Sequence, residues 1–334
     1  MKTNNLKLLK LFLLGVNVLI DACGYNDDPG YYASGYESSY EYYDYQNDEE
    51  YNEIKENPFK LALNEPLSTF SVDVDAASYS NVRRYINQGQ LPPTDAVRTE
   101  ELINYFSYDY EKPTGKDPVK ISIETGNSPF NSKHRLVRIG IKAKEIPSEN
   151  LPASNLVFLI DVSGSMHGPS RLGLVQSSLN LLVNNLREED RVSIVTYSGK
   201  AGLVLPATSG ENKEKIKEAI NELTAGGSTA GAQGIELAYK TAKDNFILGG
   251  NNRVILCTDG DFNVGISSPK ELENLIEKER QSGVFLTVLG YGMGNTKDNR
   301  MQVLAEKSNG NHAYIGKIEE ANEVLVNEFG ATLY

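Results

Sequence analysis

The sequence predicts an α/β protein with a doubly wound, mostly parallel sheet, preceded by a smaller α+β region. Three observations support this prediction. From residue 155 onward, apolar runs of strand length alternate with segments in which apolar residues recur at helical spacing. The apolar runs are continuous, as expected for strands buried on both faces of a parallel sheet. Residues 58–150 show a different pattern, which indicates a separate lead-in region before a domain over residues 151–334.

The first predicted strand of the domain is the apolar run at residues 156–160, between Pro152 and Asp161. Leucine and valine then recur at helical spacing from Leu172 to Leu186. The later elements alternate in the same way: a strand at 191–197, helices at 212–223 and 232–246, a strand at 253–257, a helix at 269–281, a strand at 284–289, a helix at 298–307, and a short strand and helix from residue 312. Ligands of such sheets bind beyond the carboxyl ends of the strands.

The lead-in region is predicted to contain helices near residues 76–88 and 94–106. Apolar and polar residues alternate near 119–124 and 136–141, which predicts two paired strands. The apolar residues assigned to one face of the second helix are Val97, Leu102, Ile103 and Phe106.

The first 23 residues are typical of an export signal. Three lysines accompany a mainly apolar stretch at residues 11–20, which is too short to span a membrane comfortably. Cys23 follows Ala22, and the segment resembles a bacterial lipoprotein signal, in which such a cysteine is lipidated and becomes the mature N-terminus. Asp21 departs from the usual residue at its position. An ordinary signal peptide is the alternative, and both interpretations predict export.

Residues 24–57 are predicted to be a disordered tether. They are rich in Tyr, Asp, Glu, Ser and Gly, and residues 25–57 contain ten acidic residues against one lysine. Such a segment cannot bury enough apolar surface to offset the entropy of ordering. The alternative role is binding of a cationic polymer or a part in surface export. The chain as a whole carries a formal charge of −12 without clustered Lys and Arg, so nucleic acid is not an expected partner.

The chain has two cysteines, Cys23 and Cys257, which is too few to predict a disulfide framework. Cys257 ends an apolar, β-branched run at residues 253–257. We therefore expect a buried thiol that packs in the core.

Oxygen-bearing side chains stand at the ends of three predicted elements. Asp161, Ser163 and Ser165 follow the first strand, Asp259 follows a later one, and Thr229 lies in a glycine-rich turn that opens a helix. These five side chains are predicted to meet at one edge of the sheet. Carboxylate and hydroxyl oxygens suit hard cations such as Mg²⁺, Mn²⁺ or Ca²⁺, and five oxygens leave room for water or a ligand.

The Asp-x-Ser-x-Ser sequence, the later Thr and the later Thr-Asp-Gly resemble the metal-ion-dependent adhesion site of von Willebrand factor type A (VWA) domains, which have a Rossmann-like fold. The resemblance implies that Ser163, Ser165 and Thr229 contact the ion. It implies that Asp161 and Asp259 act directly or through water.

Three upstream segments, residues 57–59, 66–79 and 98–106, resemble the lead-in region of a group of bacterial VWA lipoproteins. Members of that group usually continue past the VWA domain into a further region. The resemblance implies a VWA protein that is lipid-anchored in the bacterial envelope, either in the periplasm or at the cell surface.

Two functions are compatible with this site. The first is a non-enzymatic binding or adhesion module, in which an Asp or Glu of a protein partner completes the coordination of the ion. The alternative is a metal-dependent hydrolase. A hydrolase would need a general base, and the loops offer only Asp261 and His167, the latter expected to face solvent. The sequence therefore favours binding.

Overall fold

The part of the chain that the structure describes contains a two-stranded and a six-stranded sheet. The structure is a computed structural model, and it describes residues 49, 51–69, 77–144, 151–227, 231–260, 269–292 and 298–327. None of the helices in these ranges is long and apolar enough to cross a bilayer. The predicted signal sequence and Cys23 lie outside the described residues.

The lead-in region has two helices and a strand pair. Its elements are helix α1 (Ala77–Asn87), a 3₁₀ turn (Thr94–Ala96), helix α2 (Thr99–Asn104), strand β1 (Val119–Asn127) and strand β2 (Arg135–Ala143). The predicted first helix and the predicted pairing of two strands are confirmed, and the structure shows that the pair is antiparallel.

The prediction of one continuous helix over residues 94–106 is wrong. Its backbone leaves the helical region at Val97 (φ −103°, ψ 84°), and α2 begins two residues later. Ser78 of α1 explains the break, because its hydroxyl donates to the carbonyl of Ala96 (2.6 Å) and accepts from the amide of Arg98 (2.9 Å). A contact across 20 residues thus replaces local helical hydrogen bonds. Two residues of the expected apolar face, Ile103 and Phe106, are exposed.

The six-stranded sheet confirms the predicted doubly wound fold. Its strand order is β5-β4-β3-β6-β7-β8, and every neighbouring pair is parallel except β4 and β5. The strands are β3 (Ser154–Asp161), β4 (Arg191–Tyr197), β5 (Ala201–Ser209), β6 (Asn251–Thr258), β7 (Phe285–Tyr291) and β8 (His312–Ile315). The helices are α3 (Leu172–Asn184), α4 (Lys213–Asn221), α5 (Gly231–Asp244), α6 (Pro269–Arg280), α7 (Asp298–Lys307) and α8 (Ile318–Asn322), followed by a π-helical turn (Glu323–Asn327).

Strand β5 was not predicted from the sequence. It lies at the edge of the sheet and pairs antiparallel with β4 after a three-residue turn. Its burial is irregular, and it contains Pro206, which cannot donate to a ladder of hydrogen bonds. The sequence of β5 therefore lacks the continuous apolar run by which the buried strands were predicted.

Strand β3 lies at the centre of the sheet and all eight of its residues are buried. Leu156, Phe158 and Ile160 pack in one core cluster, together with residues of α3, α4 and α8. Val157 and Leu159 point to the other side and pack with residues of α5, α6 and α7. Helix layers on both faces therefore hold β3 rigidly, which fixes the position of the loop that follows it.

Glu49 belongs to the predicted tether, and the structure places it against α1. Its carboxylate accepts hydrogen bonds from the hydroxyls of Tyr51 (2.7 Å) and Tyr85 (2.6 Å) and from the guanidinium of Arg84 (2.7 Å). The Glu49 side chain is almost completely buried by these contacts. At least this residue of the acidic segment therefore contacts the folded region.

Candidate metal centre

Two buried carboxylates meet at the carboxyl ends of the central strands. In the register of β3 and β6, Ile160 lies opposite Cys257. Asp161 follows Ile160 directly, Asp259 lies two residues after Cys257, and both side chains are fully buried. The connections that leave β3 and β6 diverge at this edge, because β3 leads to β4 on one side of the sheet and β6 leads to β7 on the other. Ligands of doubly wound sheets bind at such a position.

Hydrogen bonds fix the orientation of the Asp161 carboxylate. Its Oδ1 accepts from the backbone N–H of Ser163 at 2.8 Å. Its Oδ2 accepts from the hydroxyl of Tyr197 at 3.1 Å and, at the longer distance of 3.4 Å, from the hydroxyl of Thr258. The carboxylate is therefore held in place before any ligand binds, because three neighbouring elements contact it.

The two serines of the loop after β3 lie side by side. A short 3₁₀ turn (Gly164–Met166) follows Ser163, and the Oγ atoms of Ser163 and Ser165 are 3.0 Å apart. Ser163 is almost completely buried, whereas Ser165 is partly exposed. The pair presents two hydroxyl oxygens next to the Asp161 carboxylate.

The electrostatics of this centre favour a cation. The pKa of Asp161 is raised to about 6: burial raises it most, the negative charge of Asp259 also raises it, and hydrogen bonds from Ser163 partly offset these effects. A guanidinium nitrogen of Arg171 lies 3.9 Å from a carboxylate oxygen of Asp259 and donates to the carbonyl of Ser165 at 2.5 Å. One positive charge thus stands near two carboxylates, which leaves the site with a net negative charge when both are ionised.

The donor set of the centre consists of oxygen atoms. Within the described ranges, no three His, Cys, Asp or Glu side chains cluster as metal ligands. The candidate donors are the carboxylates of Asp161 and Asp259 and the hydroxyls of Ser163 and Ser165. Such a set suits Mg²⁺, Mn²⁺ or Ca²⁺ better than metals that prefer nitrogen or sulfur. The residues present therefore fit a hard divalent cation.

The glycine-rich turn before α5 docks against the loop that follows β3. The amide of Gly226 donates to the carbonyl of Val162 (2.8 Å), and the amide of Gly164 donates to the carbonyl of Gly227 (3.1 Å). Gly227 has a φ of +89°, and a Cβ there would stand 2.4 Å from the Ser198 hydroxyl oxygen. A side chain at this position would be strained and would clash. These contacts hold residues 226 and 227 next to the loop that carries Ser163 and Ser165.

The structure brings together four of the five residues predicted from the sequence: Asp161, Ser163, Ser165 and Asp259. Thr229 lies outside the described residues, and its role stays a prediction. Sequence reasoning missed Tyr197 and Arg171. Tyr197 could have been found, because it ends β4 opposite Asp161. Arg171 lies just before α3 and no motif marks it.

Two further expectations about single residues are confirmed. His167 is exposed, as expected of a turn residue. Cys257 is fully buried, and burial raises the pKa of its thiol to about 12, which keeps the thiol protonated and unreactive at neutral pH.

Comparison with known protein families shows two matches along the chain. The model of the von Willebrand factor type A domain matches residues 155–327, and a model described as von Willebrand factor matches residues 45–138. The first match covers the six-stranded sheet and the candidate site. The second covers most of the lead-in region.

Curated relatives are found in bacteria and in animals. The uncharacterized protein YfbK of Escherichia coli is 49% identical over 285 residues, covering 83% of this chain and 50% of that protein. Inter-alpha-trypsin inhibitor heavy chain H3 of Bos taurus is 28% identical over 178 residues, covering 50% of this chain and 20% of that protein. The chain thus spans half, or less than half, of the length of these relatives.

Solved structures with a similar fold include a von Willebrand factor type A protein from Catenulispora acidiphila, with 17% identity and a TM-score of 0.48; 68% of this chain and 52% of that chain are covered. Another is the manganese-loaded TRAP protein of Plasmodium vivax, with 23% identity and a TM-score of 0.44; 53% of this chain and 73% of that chain are covered.

Proposed function

Because the chain belongs to the von Willebrand factor type A domain family, we propose that its domain at residues 151–334 holds a divalent cation and uses it to bind a protein partner. The observation that carries the proposal is the meeting of two buried carboxylates with two adjacent hydroxyls at the end of the central strand. In the proposal the ion is Mg²⁺, or Mn²⁺ or Ca²⁺ in its place. Its ligands are Asp161, Ser163, Ser165, Thr229 and Asp259.

Each residue has a distinct role in this proposal. The hydroxyls of Ser163, Ser165 and Thr229 contact the ion, and Asp161 and Asp259 neutralise its charge directly or through water. The ion supplies a positive charge with an open coordination position. An Asp or Glu carboxylate of the partner occupies that position, since a hard cation prefers an anionic oxygen ligand.

Hydrolysis with the same ion has no specific observation in its support. Of the two candidate bases near the loop, His167 has an exposed side chain, and Asp261 lies outside the described residues. A general base must lie within hydrogen-bonding reach of the reacting group. We therefore propose a binding module and no catalytic activity.

The proposed function is tested by capturing partners from bacterial envelope extract with the immobilised protein in Mg²⁺, and then titrating each purified partner with and without a chelator. A partner of the proposed kind binds only when metal is present, and Thr229→Ala weakens its binding. Thr224→Ala, which changes an exposed threonine in the preceding loop, serves as the matched control. Binding of all captured partners in the presence of chelator would contradict the proposal.

The pH dependence of metal affinity gives a first prediction. The pKa of Asp161 is raised to about 6 by burial, and a metal ion competes with the proton for this carboxylate. At pH 5 only about one tenth of Asp161 would be ionised, so Mg²⁺ should bind roughly tenfold more weakly at pH 5 than at pH 7. Isothermal titration calorimetry at the two pH values measures this difference. Equal affinities at pH 5 and pH 7 would contradict the assignment of Asp161.

We also propose that the protein is exported and anchored by lipid on Cys23 in the bacterial envelope, in the periplasm or at the cell surface. The support is the signal-like N-terminal sequence.

The anchor gives a second prediction. Cys23→Ser should abolish labelling by an alkyne fatty acid and release the protein from the membrane fraction, because Cys23 is the attachment site. Cys257→Ala is the matched control, since the only other cysteine is buried and should leave labelling unchanged. Unchanged labelling of Cys23→Ser would end the lipoprotein proposal.

A further inference from the structure

Arg171 carries a positive charge into the candidate metal centre. Its Nη1 lies 3.9 Å from Oδ2 of Asp259 and donates a hydrogen bond to the carbonyl of Ser165 at 2.5 Å. Asp259 follows β6, and Ser165 belongs to the loop after β3, so one side chain contacts both sides of the centre. The Arg171 side chain is 15% exposed and the Asp259 side chain is fully buried, which shields this pair from water.

The backbone of Arg171 is fixed by its own hydrogen bonds. Its carbonyl accepts from the amide of Val175 (2.9 Å) in the first turn of α3, and its amide donates to the carbonyl of Gly168 (3.3 Å). The other end of the side chain is bonded to the carbonyl of Ser165. Because both ends are held, the guanidinium has little freedom to leave the centre.

Gly292, which follows β7, forms a wall beside the Arg171 side chain. A Cβ at this position would lie 2.7 Å from Nε and 3.0 Å from Cγ of Arg171, and Gly292 has a φ of +91°. A residue with a side chain would therefore be strained and would clash. The Gly292 carbonyl accepts a hydrogen bond from the hydroxyl of Tyr314 on β8. The neighbouring strand thus holds the end of β7 against Arg171.

A positive charge at this place stabilises the centre when no ion is bound. Asp161 and Asp259 are both fully buried, and a buried carboxylate without a compensating charge is costly. Two neighbouring carboxylates also repel each other. The guanidinium of Arg171 offsets part of this cost, because it stands next to one of the two carboxylates and is largely shielded from solvent.

The same charge opposes a metal ion. An ion that Asp259 neutralises, directly or through water, must lie close to the guanidinium, since both face the same carboxylate. Positive charges at such short range repel each other, and burial strengthens the repulsion. The ion and the guanidinium therefore compete for Asp259, and the ion gains less from this carboxylate than it would without Arg171.

We propose that Arg171 is a built-in competitor of the metal ion, which neutralises Asp259 when no ion is bound and lowers the affinity of the centre for divalent cations. This role rests on the proposed function, because it requires that the ion binds at this centre. A lowered affinity makes the occupancy of the centre depend on the cation concentration around the protein. Binding of a partner through the ion is then switched on as that concentration rises.

A purely structural role for Arg171 predicts the opposite result. If the hydrogen bond to the carbonyl of Ser165 only held the loop in shape, removal of the guanidinium would loosen the loop and weaken metal binding. If Arg171 is a competitor, removal of its charge strengthens metal binding. The sign of the change in affinity therefore separates the two roles.

Calorimetric titration of Mg²⁺ alone into the chelator-treated protein measures this sign. Arg171→Gln removes the charge and keeps an N–H donor, and we expect it to bind Mg²⁺ about tenfold more tightly than wild type. Arg171→Met is a second neutral variant, whose unbranched stem can pack beside Gly292, and the same gain is expected. Arg171→Lys keeps the charge and should remain close to wild type. Arg138→Gln is the matched control, because it removes a positive charge from a surface pair with Glu124 and should leave the affinity unchanged.

Thermal unfolding provides a second readout. In chelator, Arg171→Gln should melt at a lower temperature than wild type, because the buried carboxylate of Asp259 loses a compensating charge. Saturating Mg²⁺ should restore the stability, since the ion supplies positive charge and binds only the folded state. The rise in melting temperature between chelator and Mg²⁺ is therefore expected to be larger in the neutral variants than in wild type or Arg171→Lys.

The proposal is overturned if wild type binds Mg²⁺ and the neutral variants bind it equally well or more weakly. An equal gain in Arg138→Gln would also overturn it, because the effect would then be one of net charge. The same holds if neither neutral variant folds in saturating Mg²⁺, since the ion should replace the lost charge. If neither wild type nor any Arg171 variant binds Mg²⁺, the proposed metal site itself is wrong, and the role of Arg171 with it.

Discussion

Asp259→Asn is expected to weaken Mg²⁺ binding by about 100-fold while the protein stays folded. Asp259 is fully buried at the carboxyl end of β6, beside the Asp161 carboxylate and the two loop serines. The substitution keeps the shape of the side chain and removes one of the two negative charges that would neutralise the ion. The remaining charge, offset by Arg171, is too small to hold a divalent cation well.

Calorimetric titration of Mg²⁺ into the metal-free variant measures this loss. Asp244→Asn is the control, because Asp244 pairs with Lys240 on the surface and should not affect the affinity. The melting temperature in chelator should stay within a few degrees of wild type, since the apolar core is unchanged. Wild-type affinity in Asp259→Asn would mean that the ion lies elsewhere or does not bind at all.

Phe158→Ala should have the largest effect on stability, a loss of about 3–5 kcal/mol in the free energy of unfolding. Phe158 is fully buried in the middle of β3 and packs among residues of α3 and the neighbouring strands. Truncation removes most of a large apolar side chain and leaves a cavity in a close-packed layer. Strand β3 also carries Asp161, so the same loss would loosen the support of the metal centre.

Urea denaturation in the presence of chelator measures this effect without any contribution from bound metal. Phe130→Ala is the matched control; its ring is exposed in the loop between β1 and β2, and its removal should change the stability by less than about 0.5 kcal/mol. A loss below about 1 kcal/mol for Phe158→Ala would contradict the packing described for β3.

The parallel sheet could be predicted from the sequence because its signals are local. Strand β3 is a continuous apolar run, and the residues from Leu172 onward have the period of a helix with one buried face. The break at Val97 could not be predicted in this way, since it depends on Ser78, which is distant in the sequence. Alternation also predicted β1 and β2, but it could not show that their apolar side is exposed.

Some residues of the candidate site could likewise be predicted from the sequence, and others could not. Asp161, Ser163, Ser165 and Asp259 stand at strand ends in the sequence, so their meeting could be predicted from topology alone. The role of Arg171 could not be predicted, because its contact with Asp259 arises only when the start of α3 packs beside the end of β6. Thr229 and Cys23 remain predictions that rest on the sequence.

The most direct test of the metal centre is a crystal of the protein soaked in Mn²⁺, with an anomalous difference map calculated at the manganese absorption edge. A strong peak is expected about 2.0–2.6 Å from the hydroxyl oxygens of Ser163 and Ser165, beside the carboxylates of Asp161 and Asp259. The assignment of this centre would be contradicted if the loop is ordered at saturating Mn²⁺ but the map shows no peak there, or shows a peak only elsewhere.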